Sequence, residues 1–207
     1  MEAMWVTLIT SGLATVFAIL IGLPLASLCV RKDFVCKKML HLMIRAMYGL
    51  PPVVVGVVVY LALSKDGVLG DWGFLFTIQG MIIAQTLLIL PLVWGISWTG
   101  MEEIPNEVMD IYRLSDVKKP YAWLMVFEAK NQISAAIMLA FGRAIAEVGA
   151  VMIVGGNIDS YTRVMTTAIS LETRMGNLEY AMALGIVLIS LTMLIYSIVY
   201  MFNLKRR

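Results

Sequence analysis

Two charges stand where charge is expensive. Arg143 and Glu147 lie four residues apart in Asn131–Asn157, a run of 27 residues with no other ionised side chain. On a helix that spacing puts both on one face. At ~1.5 Å of rise per residue they would sit roughly mid-bilayer. Charges at that depth face a protein interior or a wet cavity. Either Arg143 helps draw a dianion into a path, or the pair neutralises itself and fixes helix packing. Further along, Thr166, Thr167 and Ser170 follow Arg163. Their hydroxyls would handle an oxyanion without gripping it, or would only cap a surface helix. Pro51-Pro52 should kink a helix and free backbone carbonyls. Such irregular backbone lines pathways where it can be solvated, although proline is also common in membrane helices.

Catalytic chemistry is not encoded in the same way. No phosphate-cradling glycine loop with Lys-Ser/Thr occurs. His41 is the single histidine, so it cannot supply a Ser-His-Asp set, and interfacial hydrogen bonding suits it better than metal ligation. The sixteen methionines are scattered rather than clustered as a metal path would want. The expectation is a non-enzyme with no metal site and no cofactor.

The elements that position these residues follow from composition. Of 207 residues 60% are apolar and 14% charged, with mean hydropathy +0.86. A soluble domain carries about 25% charged residues, and so much exposed apolar surface would drive association. A bilayer removes that conflict. A span needs about 20 apolar residues, and the sequence predicts an all-α single membrane domain over 1–207. Its five spans fall at about 4–30, 39–64, 73–99, 131–155 and 180–204. With the N-terminus outside, eleven Lys/Arg fall on inner segments and three on outer ones, which predicts N-out/C-in. Trp5, Trp72 and Trp98 stand near span ends, as an aromatic belt would. Cys29 and Cys36 read as free thiols. The net charge of +2 suggests no nucleic-acid partner.

Two segments between spans stand out. Residues 158–179 carry apolar side chains at helical spacing, which fits a short amphipathic helix at the outer surface. Inner residues 102–130 read as two short amphipathic helices. Pro105 and acidic residues open the first, Asp116 caps the second, and Tyr121, Trp123 and Phe127 are placed to fill a partner's groove.

Leu114-Ser115-Asp116, followed after nine residues by Met125-Val126-Phe127-Glu128, resembles the cytoplasmic EAA loop of ABC-transporter permeases, with Ser115 where glycine is usual and Glu128 where proline is. Phe141–Ala150, Gly155-Gly156-Asn157-Ile158, Thr162–Ile169 and Leu50–Gly56 are similar to the permeases of molybdate and tungstate importers, the tungstate branch above all. The resemblance implies a type I importer (MetI-like) permease fold in a prokaryotic cell membrane. It further implies a second copy of the chain, cytoplasmic ABC ATPase subunits, and an extracytoplasmic oxyanion-binding protein. The ATPase contact then falls on Arg113, Leu114, Ser115, Asp116, Val117, Lys118 and Lys119. The substrate path would be lined by Pro51, Pro52, Arg143, Glu147, Thr166 and Thr167. The rival reading is a self-contained secondary transporter or channel with Arg143 and Glu147 in the pathway, and a structural assembly subunit is a third.

Overall fold

The computed structural model describes residues 2–105, 107–108, 110–111 and 121–204. Nine α-helices are named here in chain order: α1 Glu2–Arg31, α2 Lys37–Ala46, α3 Pro52–Leu63, α4 Ile78–Glu102, α5 Tyr121–Glu128, α6 Lys130–Ile145, α7 Gly149–Gly155, α8 Met165–Arg174 and α9 Leu178–Leu204. No strand occurs among the described residues. Helices α1, α4 and α9 are each long and apolar enough to cross a membrane, and the count rises to five if the bent pairs α2–α3 and α5–α6 are each one span. The predicted runs at 4–30 and 180–204 lie within α1 and α9, whereas the run at 131–155 is interrupted after Ile145 and does not coincide with the bent pair α5–α6.

The α2–α3 break has a local cause. Between α2 and α3 the chain tightens into a 3₁₀ turn at Met47–Gly49, then extends through Leu50 and Pro51 at ψ 126° and 124°. A proline disfavours the helical region for the residue before it, so Pro51 holds Leu50 extended and Pro52 does the same to Pro51. Pro52 then occupies the first position of α3, where its missing N–H costs nothing. The predicted kink at Pro51-Pro52 is present.

The described residues divide into two compact units. One comprises residues 1–14, 51–85 and 142–207. Here α3 packs on α7 and α8 on α9, with Val6, Met81, Val151 and Val164 forming a buried cluster. Lipid is as apolar as leucine, so association in a membrane depends on close packing through small residues. Gly56 supplies that approach: a Cβ there would lie 2.8 Å from the Cα of Ala150.

The other unit comprises residues 15–50 and 86–141. Its core gathers Ala26, Cys29, Ile44, Trp98, Met101, Met125, Ala129 and Ile133. Trp98 is fully buried there, which corrects its placement in an interfacial belt; Trp5 and Trp72 are exposed. Trp98 lies one turn before the end of α4, so position alone suggested an interface, but its indole packs inward.

Candidate functional site

The sequence-predicted path residues Pro51, Pro52, Arg143, Glu147, Thr166 and Thr167 all fall in the first unit. Their geometry centres on an interruption that the sequence did not reveal. The fourth apolar run is not one helix: α6 stops at Ile145, residues 146–148 are irregular, and α7 resumes at Gly149. Arg143 and Glu147 therefore do not share a helical face. Arg143 is partly buried on the last turn of α6, whereas Glu147 lies beyond it, 5% exposed.

Broken backbone in an apolar setting leaves N–H and C=O groups that must find partners. Three buried side chains supply them. Gln85 donates its side-chain N–H to the carbonyl of Ala144 at 3.0 Å. Thr166 donates its hydroxyl to the carbonyl of Glu147 at 2.7 Å. The Glu147 carboxylate accepts from the amide of Ala150 at 2.9 Å, capping α7. Gln85 comes from α4 and Thr166 from α8, so the break is held by distant elements and not by local preference.

The glycines flanking the break set its neighbours. Gly142 faces the Tyr196 hydroxyl on α9, and Gly149 faces Val53 of α3, 2.9 Å from where a Cβ would stand. Both glycines admit close approach, each to a different helix. A groove of about 480 Å³ opens beside the end of α6, lined by Gly142, Ile145, Ala146, Leu188, Thr192 and Tyr196 among others. Its walls are mainly apolar.

The segment after α7 is folded tightly. Gly156 and Asn157 take positive φ of 72° and 51°. Thr162 donates to the carbonyl of Gly155 at 2.5 Å and accepts from the Ile158 amide at 2.9 Å. Arg163 pairs with Asp159 at 2.7 Å. The expected short amphipathic helix is α8. Its first residues are buried, so Thr166 and Thr167 are interior groups and not surface donors. Thr167 caps α8, taking the amide of Val164 at 3.1 Å. The amide of Met165 donates to the Thr7 hydroxyl of α1 at 2.9 Å.

These hydrogen bonds bracket the three irregular residues, from Ala144 at the end of α6 to Ala150 at the start of α7. The arrangement offers no nucleophile set. Among the described residues no group of three His, Cys, Asp or Glu is placed to hold a metal. His41 is hydrogen-bonded to Thr99 at 3.1 Å. Residues 113–119, the expected ATPase contact, lie outside the described residues. Sequence reasoning missed Gln85, Thr7 and Thr162. Gln85 had a usable signal, as a side-chain amide between the apolar stretches Met81–Ala84 and Leu87–Val93.

Residues 18–207 match the family described as binding-protein-dependent transport system inner membrane component. The chain is 40% identical to a probable anion ABC transporter permease of Haloferax volcanii, covering 91% of this chain and 84% of that one. It is 36% identical to the tungstate uptake system permease TupB of Peptoclostridium acidaminophilum, covering 95% and 86%. The molybdenum transport system permease ModB of Escherichia coli is 27% identical, over 93% and 89%.

Proposed function

We propose that this chain, which belongs to the family of binding-protein-dependent transport system inner membrane components, carries tungstate across the membrane, with molybdate as the alternative passenger. Membership makes it the multi-pass, all-α permease subunit of an ABC importer, with ATPase subunits and a binding protein as partners. The passenger rests on one observation, the match to a tungstate permease along 95% of this chain. On this reading ATP is bound and hydrolysed only in the partner subunit, since the sequence has no phosphate-cradling loop.

The finer assignments follow from it. The chain is oriented N-out/C-in, as the Lys/Arg bias favours. Two copies form the permease, and α9, whose most apolar window has no buried residue within the chain, supplies outward surface for a second copy and for lipid. Arg113 to Lys119 engage the ATPase. Closure of the ATPases rocks the helices from inward-open to outward-open. The breaks at Pro51-Pro52 and at 146–148 are where the path opens. Glu147 and Thr166 serve as the frame of the second break and not as ligands, because the Thr166 hydroxyl and one Glu147 carboxylate oxygen are committed to backbone. A self-contained secondary transporter is disfavoured, as no inverted repeat is visible.

The test is competition. In proteoliposomes holding the assembled complex, tungstate delivered by its binding protein should be taken up, excess molybdate should compete, and sulfate should not. Equal competition by sulfate would remove the passenger assignment.

A further inference from the structure

Glu102 is the last residue of α4, where the chain enters residues 103–120. A carboxylate at a helix C-terminus opposes the macrodipole, and so does a lysine at a helix N-terminus. Lys37 is such a lysine, the first residue of α2. These two locally disfavoured charges meet each other at 3.4 Å. The same ammonium lies 3.4 Å from the carbonyl of Val30, near the end of α1, and 3.6 Å from Asp33. One turn further along α2, His41 stacks on Trp98 with ring centroids 4.5 Å apart. Thr99 donates its own hydroxyl hydrogen to Gly95 at 3.1 Å, so His41 Nε2 is the donor to Thr99. His41 Nδ1 stands 3.9 Å from the second Glu102 oxygen. Residues 98, 99 and 102 of α4 are thus all joined to α2.

We propose that Glu102, held by Lys37, is the positioning residue that transmits displacement of the ATPase-facing segment into α2, and through α2 toward the Pro51-Pro52 break. The inference rests on the reading of residues 102–130 as that segment. Two features support transmission over simple solubility. Each charge is misplaced for its own helix, so the pairing is tertiary. The chain also re-enters the same core beyond the segment: Met125, Ala129 and Ile133 pack in one cluster with Trp98 and Met101. A push on residues 103–120 therefore acts on a root that is fixed at both ends and tied sideways to α2.

Cys36, exposed and adjacent to Lys37, is a native reporter, and Cys29 is buried. The experiment follows the rate of maleimide labelling at Cys36 in the complex with its ATPase, with and without a non-hydrolysable ATP analogue. Because no transported anion is present, failure of the tungstate assignment leaves this readout unaffected. The nucleotide should change the wild-type rate by at least about five-fold, the lower end of typical coupling. Glu102→Gln should abolish that change while still co-purifying with the ATPase, and the swap Lys37→Glu with Glu102→Lys should restore it. A Glu102→Gln complex that keeps the full nucleotide response would overturn the proposal. So would a wild type with no response, a swap that restores nothing, or a Glu102→Gln chain that loses the ATPase altogether.

Discussion

Thr166 of α8 and Glu147, which lies in no helix, are joined by a hydrogen bond: the Thr166 hydroxyl reaches the Glu147 main-chain carbonyl at 2.7 Å across 19 residues. It ties α8 to the gap between α6 and α7, and it makes the break a constructed joint.

Removing that bond gives the first prediction. Thr166→Val leaves a carbonyl without its partner at a buried site, which costs about 1–3 kcal/mol. Thr166→Ser keeps the donor and should lose less. Thermal unfolding of the detergent-solubilised chain reads the difference, and equal melting of the two variants would remove the bond from the account.

Glu147 separates capping from charge. Glu147→Gln retains an oxygen for the Ala150 amide, whereas Glu147→Ala loses the cap, a change worth about 0.5–2 kcal/mol. The glutamine variant should transport at near the wild-type rate and the alanine variant should unfold at lower temperature. A glutamine variant that folds normally but does not transport would show that the carboxylate's charge, not its cap, is used.

Close approach is testable at glycine. Gly56→Ala drives a methyl to 2.8 Å from the Ala150 backbone, so it should destabilise by about 1–3 kcal/mol. Gly12, inside α1 with nothing within 4 Å of a new Cβ, should gain up to about 1 kcal/mol as alanine. Melting temperatures should move in opposite directions; a shared direction would mean the α3–α7 contact is not tight.

Sidedness follows from the charge bias. A membrane-impermeant maleimide should reach native Cys36 only from the cytoplasmic face, and a cysteine introduced at Asp159 only from the opposite one. The reverse pattern would invert the topology and place residues 102–130 away from the ATPase.

The spans were legible because length and apolarity alone dictate them: Met4–Val30 appears within α1 and Tyr180–Leu204 within α9. Pro51-Pro52 announced its own break. The break at 146–148 could not be read, because Ala-Glu-Val resists helix only weakly, and the partners that decide it, Gln85 and Thr166, lie about 60 and 20 residues away in sequence. For the same reason the four-residue spacing of Arg143 and Glu147 suggested a shared face that the chain does not form. Trp98 misled by position, since a run's end resembles an interface until its neighbours are known.

The most direct measurement of the central claim compares oxyanion uptake into liposomes holding this chain alone with uptake by the chain assembled with its ATPase, binding protein and ATP. Uptake only by the energised assembly is the expected result. Tungstate entry through the chain alone, with no ATPase present, would contradict it.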